Sequence, residues 1–331
     1  MRSSATLRWS ALALLLAVYA VFSLQPFAWR FPVRMLNGAV PIAGGWSFAI
    51  PGIVVAEPRL AWLKSAKRAE SLELSLEVRP QSSNQFGPAR ILTISEDIYD
   101  RNLMLAQDGD DLVLRLRSED TNSDGVLDGH PVARVENVLK AGRWVTIDLG
   151  IHPGRLTIAI DGRQEVAAAL PPAVLATWNS SFGLALGNEM TCNRPWLGEI
   201  RNPVITAPDG ATSYAGPRQQ VEQPASCWVV RHAPKLMPLV DLDLADATRN
   251  VVMYIPLGCL LGLMVRTRNA WTFSALLLTV AAVSVAFETA QLFVPSRFPS
   301  VDDLIFNTLG GAFGLSLGLW LKKRAAEMPP G

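Results

Sequence analysis

The sequence predicts a multi-domain membrane protein in which a bundle of four transmembrane helices carries an all-β sandwich inserted after the first helix. The chain has 331 residues, of which 50% are hydrophobic and 18% are charged. This balance is too apolar for an ordinary soluble protein and too charged for a pure membrane bundle. Long apolar runs lie at both ends of the chain, and between them hydrophobic residues alternate with polar ones.

The first element is an N-terminal transmembrane helix, predicted over residues 1–30. Arg2 and Arg8 flank the start of an uncharged run over 9–29. That run is long enough to cross the roughly 30 Å of hydrocarbon in a bilayer. A cleaved signal peptide is the alternative, because the most apolar part, 11–22, has the length of a signal peptide. No convincing small-x-small cleavage motif follows it, so we expect the helix to be retained.

Residues 40–207 are predicted to form the sandwich. In several short segments an apolar residue occurs at every second position, which is the pattern of strands with one buried face. Asp161-Gly162 and other glycines between these segments provide turn positions that favour positive φ. The alternating residues are Leu72, Leu74, Leu76 and Val78; Leu112, Leu114 and Leu116; Val145, Ile147 and Leu149; and Leu156, Ile158 and Ile160.

Four stretches of this region carry a family resemblance. They are 103–117 (LMLAQDGDDLVLRLR), 144–147 (WVTI), 156–162 (LTIAIDG) and 196–205 (WLGEIRNPVI). They resemble the concanavalin A-like, laminin-G type domains. That resemblance implies a jelly roll of two packed sheets, a type that commonly binds glycans, and it specifies fold better than activity. Five tryptophans are candidates for stacking on sugar rings, although several must be core: Trp46, Trp62, Trp144, Trp178 and Trp196.

A linker over 208–240 and a helical region over 241–324 complete the chain. The linker is predicted because its first twenty residues lack any periodicity. Three apolar runs of the helical region are predicted spans, at 250–265, 270–294 and 304–321. Basic residues between the first two of these spans and after the last predict both termini in the cytoplasm and the sandwich outside. They are Arg266, Arg268, Lys322, Lys323 and Arg324.

Polar residues interrupt the last two apolar runs, where hydropathy alone would place leucine. Ser284, Glu288 and Gln291 have the spacing of one helical face. Ionisable side chains are costly inside a membrane, so such residues are interpreted as functional or paired. The polar cluster comprises Glu288, Gln291, Arg297, Asp302 and Asn307. Small residues on the last helix predict close packing of the two helices as a hairpin; they are Gly310, Gly311, Gly314 and Gly318.

Four short motifs follow one another in the C-terminal region. They are Tyr254-Ile-Pro-Leu-Gly258, Glu288-x-x-Gln291, Arg297-x-x-Ser300-x-Asp302 and Asn307-x-x-Gly310-Gly311-x-x-Gly314. As an ordered set over residues 247–320 they resemble the VanZ-like family of small multi-span envelope proteins. The resemblance implies a multi-pass protein of the bacterial cytoplasmic membrane, with the sandwich inserted between the family's first and second helices. It implies no reaction.

The polar cluster has two interpretations. It forms either a pocket for the head group of a lipid or lipid-linked glycan, with Arg297 on a carboxylate or phosphate, or a network that only locks the hairpin. We expect a non-catalytic envelope protein whose sandwich binds a glycan or cell-wall polymer and whose bundle docks a lipid-linked or protein partner. One alternative is a membrane enzyme or transporter for lipid-linked sugar, with Glu288 as acid or base and Arg297 on a phosphate. A structural protein–protein interaction module is the other.

A calcium site has weaker support from the sequence. Asp120, Asn122 and Asp124 match the first half of a calcium-binding loop, in which alternate oxygen ligands precede a glycine. The twelfth position of the loop is Pro131 rather than glutamate, and the flanking segments are strands rather than helices. We therefore expect a polar hairpin loop and no cofactor.

The net charge and the cysteine content argue against a nucleic-acid-binding protein and a zinc ribbon. A formal net charge of +1 gives no basic face for nucleic acid. The chain has three cysteines, without the paired spacing of a zinc ribbon. Cys192 and Cys227 are predicted to lie on the same side of the membrane, where they could pair, whereas Cys259 lies inside a span.

Overall fold

The computed structural model of the protein consists of two compact units. One comprises Met1–Phe31 and Pro234–Gly331, and the other comprises Pro32–Ala233. The first contains the long helices and the second contains two large β-sheets, which confirms the predicted fold class. The residues that the structure describes are 2–27, 29–56, 60–216, 221–230, 244–265, 269–294, 297 and 299–327.

Four of the helices are long and apolar enough to cross a membrane, and the fifth, α2, is a short helix of the sandwich unit. The third helix begins before the predicted span at 250, and the last extends past the predicted end at 321. Arg266 and Arg268, on which the predicted orientation partly depends, lie outside the described residues. The helices are α1 Arg2–Leu24, α2 Leu63–Ala69, α3 Leu244–Met264, α4 Ala270–Gln291 and α5 Val301–Glu327.

The strands of the described residues lie in the second unit. Up to the middle of the unit they are β1 Val33–Leu36, β2 Val40–Ile42, β3 Gly45–Phe48, β4 Val54–Ala56, β5 Leu72–Pro80, β6 Gln85–Ser95, β7 Arg101–Gly109, β8 Asp111–Leu116, β9 Val126–Leu127, β10 His130–Pro131 and β11 Ala133–Val135. The remaining strands are β12 Val145–His152, β13 Arg155–Ile160, β14 Arg163–Ala169, β15 Gly183–Leu186, β16 Gly198–Ala207, β17 Gly210–Ser213, β18 Val221–Glu222 and β19 Ser226–Val229.

Two antiparallel sheets form the sandwich. One has seven strands in the order β11-β8-β7-β6-β15-β4-β18, and the other has eight, with β14-β13-β12-β5-β16-β3-β2 in order and β17 on β16. The segments predicted from alternation are β5, β8, β12 and β13, and their apolar residues form one buried cluster between the sheets. The predicted turn at Asp161-Gly162 has positive φ at both residues, as a tight hairpin between β13 and β14 requires.

Four tryptophans belong to the core of the sandwich. Trp46, Trp62, Trp178 and Trp196 are completely buried. Their ring nitrogens are also satisfied internally: Trp62 Nε1 donates to the Tyr214 hydroxyl at 2.7 Å, for example. Buried indoles usually need such a partner. These four residues are therefore not available to stack on a sugar, which leaves Trp144 of the predicted candidates.

The predicted linker over 208–240 is wrong for its first half. Strand β17 pairs with β16, β18 with β4, and β19 with β1, so this segment completes the sandwich unit. The rest of the predicted linker, from 231 onward, lies outside the described residues. A disulfide joins Cys192 to Cys227 of β19, with 6.4 Å between their Cα atoms.

Glycines bring α3 and α5 together in the helical unit. A Cβ atom on Gly314 would lie 2.1 Å from the Ile255 carbonyl oxygen, and one on Gly258 would lie 2.0 Å from the Gly311 oxygen. Small residues permit such an approach of two backbones in lipid. The small-residue face was predicted to pack on α4, yet only Gly311 does so, against Val280; the others meet α3. We call this contact the glycine seam; it comprises Gly258, Gly262, Gly310, Gly314 and Gly318.

The glycine seam leads to a first prediction. We expect Gly314→Ala to destabilise the helical unit by about 1–3 kcal/mol, because the added methyl group would overlap the α3 backbone. The measurement is the unfolding midpoint of the full chain in detergent under a denaturant titration. Ser316→Val, a larger change on an exposed position of the same helix, is the control and should have little effect. Equal stabilities for the two variants would contradict the assignment of the seam.

Candidate functional site

A polar cavity lies at one end of the helical unit, where α1 and α4 end and α3 and α5 begin. Its volume is about 390 Å³, within the roughly 300–1,000 Å³ of small-ligand sites. All four surrounding helices are apolar enough to cross a membrane. Besides Phe22 and Met253 the lining is polar, and it consists of Ser23, Asp246, Arg249, Asn250, Tyr254, Glu288, Gln291, Arg297, Asp303 and Asn307.

Helix α4 contributes one polar face to the interior of the bundle. Ser284 is fully buried, and Glu288 and Gln291 are 5% and 8% exposed. The three residues recur at the spacing of one helical face, so the turn of the helix that buries one of them buries all three. The Glu288 carboxylate accepts a hydrogen bond from the Ser300 N–H at 3.2 Å. This bond links the end of α4 to the start of α5.

The first turn of α5 supplies a second carboxylate. The Asp303 N–H donates to Ser300 Oγ at 3.1 Å, a capping bond that fixes the start of the helix. Asp303 Oδ1 accepts from Asn250 Nδ2 of α3 at 2.5 Å. The cavity is thus lined by Asp303 and not by the predicted Asp302. Asp302 points elsewhere because neighbouring residues of a helix are rotated by about 100° about its axis. Its buried Oδ1 has no hydrogen-bond partner in the described part of the chain.

Asn307 and Tyr254 form the inner side of the cavity. Asn307 is 5% exposed, and its Nδ2 donates to Ser284 Oγ at 3.0 Å. Its Oδ1 is buried without a hydrogen-bond partner among the described residues. Tyr254 packs on Tyr19 of α1, with 5.1 Å between ring centroids. The predicted hairpin requires a contact between α4 and α5, and the Asn307–Ser284 hydrogen bond is such a contact.

The guanidinium of Arg297 binds the end of α1. It donates to the carbonyl oxygens of Phe22 at 2.6 Å and of Gln25 at 3.3 Å. The last carbonyls of a helix lack partners within the helix, so an arginine from another segment can satisfy them. Asp302 and Asp303 are close enough to Arg297 in sequence to be its partners across the turn, but the main-chain bonds of Arg297 show a different role. The second guanidinium of the cavity, Arg249, lies 3.4 Å from the Asp246 carboxylate.

The sequence-based cluster omits six polar residues that line the cavity. Three of them, Asp246, Asn250 and Tyr254, recur every fourth residue of α3 and therefore share one face. This is the signal that identified the polar face of α4. It is less visible in α3 because Asp246 lies before the predicted apolar run and Asn250 is its first residue. Polar residues are ordinary at the ends of a membrane span. The other three omitted polar residues are Ser23, Arg249 and Asp303.

The sandwich unit has its own candidate surface, the outer face of the eight-stranded sheet. The corresponding face of the other sheet is covered: Arg90 there is buried and pairs with Glu189 at 3.0 Å. Burial lowers the pKa of Arg90 to about 10, an effect that the Glu189 carboxylate opposes. The outer face of the eight-stranded sheet instead carries a shallow hollow of about 370 Å³. Ser75 Oγ donates to the Asp148 carboxylate at 2.6 Å at this hollow.

Trp144 lies on the same outer face, immediately before β12, and is partly exposed. Two guanidinium groups contact its ring. Arg201 Cζ lies 4.3 Å and Arg79 Cζ 5.1 Å from the ring centroid, within the range of cation–π contacts. Arg79 also pairs with Glu199 on β16. The partly exposed Trp144 ring thus adds an aromatic group to this face, with two guanidinium donors against it.

The residues of the predicted calcium loop have other partners. Asp124 lies between two arginines, 2.6 Å from Arg101 and 2.6 Å from Arg115. Asn122 Oδ1 accepts from the Val126 N–H at 3.1 Å, and Asp120 is exposed. Two guanidinium groups already neutralise the Asp124 carboxylate, which disfavours a calcium ion there. The absence of a cofactor stays a prediction.

Comparison with solved structures gives fold likenesses in the sandwich. One is to the CBM40 of a Ruminococcus gnavus IT-sialidase bound to α2,3-sialyllactose, with 11% identity, a TM-score of 0.36, and coverage of 51% of this chain and 89% of that one. Another is to domain 4 of AbnA, a GH43 extracellular arabinanase from Geobacillus stearothermophilus in complex with arabinotriose, with 15% identity, a TM-score of 0.33, and coverage of 55% and 84%. At these values neither likeness bears on the ligand of this chain.

The comparison of sequences concerns the helical region. No curated protein matches the chain. Residues 212–322 match the VanZ/LLP1 family model, a range that begins within β17 and runs to the last turns of α5. The polar cavity and the glycine seam both lie within that range, apart from the contribution of α1. The chain is therefore a multi-pass membrane protein with a VanZ/LLP1 region at its C-terminal end and a β-sandwich inserted after its first helix.

Proposed function

We propose that this protein belongs to the bacterial cell envelope and docks the head group of a membrane lipid or lipid-linked sugar in the polar cavity of its helical unit. The observation that carries the proposal is an open polar cavity surrounded by helices that are otherwise apolar. Polar groups in such a bundle cost free energy unless they are satisfied or used. A network that only locked the hairpin would satisfy each buried group internally, whereas Asn307 Oδ1 is left without a partner in the described structure.

The distribution of charge supports an orientation with the cavity at the outer side of the cytoplasmic membrane. Arg8 and Lys322 donate to the Leu263 carbonyl oxygen at 3.4 and 3.2 Å, at the end of α3 remote from the cavity. Lys323 and Arg324 follow on α5. Cations concentrate on the cytoplasmic side of membrane proteins. The Cys192–Cys227 disulfide supports the same orientation, because disulfides persist in oxidising compartments.

The orientation predicts the thiol content of the protein in its native membrane. Before reduction we expect a maleimide reagent in denaturant to modify one thiol, that of Cys259. After reduction it should modify all three cysteines. Mass spectrometry of the protein gives the count. Cys259→Ser is the control, and in this variant no thiol should react before reduction. Three reactive thiols in the unreduced wild type would place the sandwich in the cytoplasm.

The docking proposal predicts that lipid binding depends on the cavity. We expect Glu288→Gln to lower the occupancy of co-purified lipid on the full-length protein about tenfold, because a charge-assisted hydrogen bond is lost. Native mass spectrometry of the detergent-solubilised protein measures that occupancy. Glu327→Gln changes an exposed carboxylate at the end of α5 and should leave the occupancy unchanged. A Glu288→Gln protein that loses stability but retains its lipid would favour a packing role.

The rival function, a membrane enzyme or transporter for lipid-linked sugar, uses Glu288 as acid or base and Arg297 on a phosphate. Arg297 already donates to the carbonyl oxygens of Phe22 in α1 and of Gln25 just after it, so its position serves the helix end. Arg249 lines the same cavity and would be the better-placed guanidinium for a phosphate. Docking without turnover is therefore the function we favour.

For the sandwich we propose glycan or cell-wall polymer binding on the outer face of the eight-stranded sheet. Trp144 supports this proposal because it is the remaining tryptophan among the predicted stacking candidates, and its ring lies beside two arginines. Sugar rings stack on partly exposed aromatic side chains and receive hydrogen bonds from neighbouring polar groups. A contact surface for another protein is the alternative for this face.

The sandwich proposal predicts a specific effect of Trp144. In a polysaccharide and peptidoglycan binding screen of the full-length protein in nanodiscs, Trp144→Ala should weaken binding up to about tenfold, since one stacked ring contributes roughly 0.5–1.5 kcal/mol. Trp228→Ala removes another exposed tryptophan, in the β1–β19 ribbon, and should bind as the wild type does. A wild-type protein that binds none of the polymers would favour the protein-contact alternative.

A further inference from the structure

We infer that the polar cavity selects an ammonium group, so that its ligand is a lipid whose head group carries a free amine. This inference rests on the proposed docking function and adds to it the chemical class of the head group. It follows from three features of the cavity: two carboxylates without a cationic partner, an unpartnered buried carbonyl oxygen, and a tyrosine ring beside them.

The cavity has three carboxylates and two guanidinium groups, so its charges do not balance internally. The Arg297 guanidinium is bound to carbonyl oxygens at the end of α1. Of the three carboxylates, that of Asp246 lies 3.4 Å from the Arg249 guanidinium. Glu288 and Asp303 accept hydrogen bonds from neutral donors, the Ser300 N–H and the Asn250 amide. Neither carboxylate has a cationic partner in the described part of the chain. Two neighbouring carboxylates are costly in their charged forms, and a positive charge bound between them lowers that cost, as does a proton on one of them.

The unpartnered oxygen is an independent observation. The Asn307 side chain is 5% exposed and lines the cavity. Its Nδ2 donates to Ser284, which directs Oδ1 away from that bond, and Oδ1 has no hydrogen-bond partner among the described residues. A buried acceptor left unpaired costs the desolvation of that atom. The site therefore lacks a donor, and a ligand can supply one.

These groups match the hydrogen bonding of a primary ammonium. An –NH₃⁺ group has three donors and no acceptor, and the cavity offers the Glu288 carboxylate, the Asp303 carboxylate and Asn307 Oδ1. Tyr254 lines the same cavity, and an aromatic ring beside a cation contributes further attraction. Arg249, at the N-terminal end of α3, would then face the phosphate of the same head group.

The size of the cavity distinguishes a head group from a bare metal ion. About 390 Å³ is the volume of a small-ligand site, whereas a metal ion is held by oxygen ligands within about 2–2.6 Å of it. Two sources can present the required amine: a phosphoethanolamine lipid and a polyprenyl phosphate that carries an amino sugar. Both place a phosphate near the ammonium, so both fit the same lining.

The test compares amine-bearing lipids with their N-acetylated counterparts on the full-length protein in nanodiscs. The probes are phosphatidylethanolamine, N-acetyl phosphatidylethanolamine, and a polyprenyl phosphate amino sugar with and without N-acetylation. Competition measured by native mass spectrometry should favour the free amine about tenfold or more, because a charged hydrogen-bonding group is removed by acetylation. A preference confined to the diacyl pair identifies a phospholipid, and one confined to the polyprenyl pair identifies a lipid-linked sugar.

Matched variants connect the preference to the cavity. Glu288→Gln and Asp303→Asn should each reduce the ratio of free to acetylated lipid severalfold, whereas Asp302→Asn, which changes the neighbouring carboxylate outside the cavity, should preserve it. The wild-type ratio needs no variant, so a folding defect cannot obscure it. Equal binding of both forms would overturn the inference and leave the docking proposal standing. No bound lipid on the wild type would overturn both, and displacement of bound lipid by calcium would assign the carboxylates to a metal ion.

Discussion

The approach of α3 to α5 along the glycine seam is the contact on which the rest of the helical unit depends. In lipid, apolar side chains gain little by leaving the bilayer for each other, so helices associate through close packing and interhelical hydrogen bonds. A Cβ on Gly258, Gly310 or Gly314 would lie 2.0 to 2.1 Å from a carbonyl oxygen of the facing helix. No residue with a Cβ atom fits at these positions without moving the helices apart. The seam therefore fixes both the distance and the register of the two helices.

That register determines the composition of the cavity. On α3 the face of the seam continues toward the helix start as Tyr254, Asn250 and Asp246, and on α5 as Asn307 and Asp303. Each helix thus has small residues along one part of a face and polar residues along the next. Backbones held close by the glycines bring the polar side chains within hydrogen-bond reach, as the Asn250–Asp303 bond at 2.5 Å shows.

Sequence periodicity predicts the elements whose side chains carry a pattern. The sandwich strands β5, β8, β12 and β13 follow from alternation, and the inward face of α4 follows from helical spacing. The strands β17 to β19 could not be predicted in this way, because they are short and because no position of β17 or β19 is buried. The strands β18 and β19 are also defined by pairing with the distant β4 and β1. The sequence also cannot show which of the adjacent Asp302 and Asp303 lines the cavity, because that depends on how α5 is rotated about its axis. The partner of Arg297 is a pair of main-chain carbonyls, which no residue type reveals.

The insertion of a large sandwich after α1 is tolerated because the sandwich closes on itself. Its first and last strands pair with each other, with Val33 opposite Val229 and Met35 opposite Cys227. The chain therefore enters and leaves this unit at neighbouring points, which is the condition under which domain insertion is least disruptive. The disulfide from Cys227 to Cys192 attaches this two-stranded ribbon to the body of the sandwich. The ribbon and the disulfide therefore hold the two ends of the insert together within the sandwich unit itself. The contacts of α1 with Tyr254 and Arg297 are not needed for that purpose, and they can instead position the residues of the cavity.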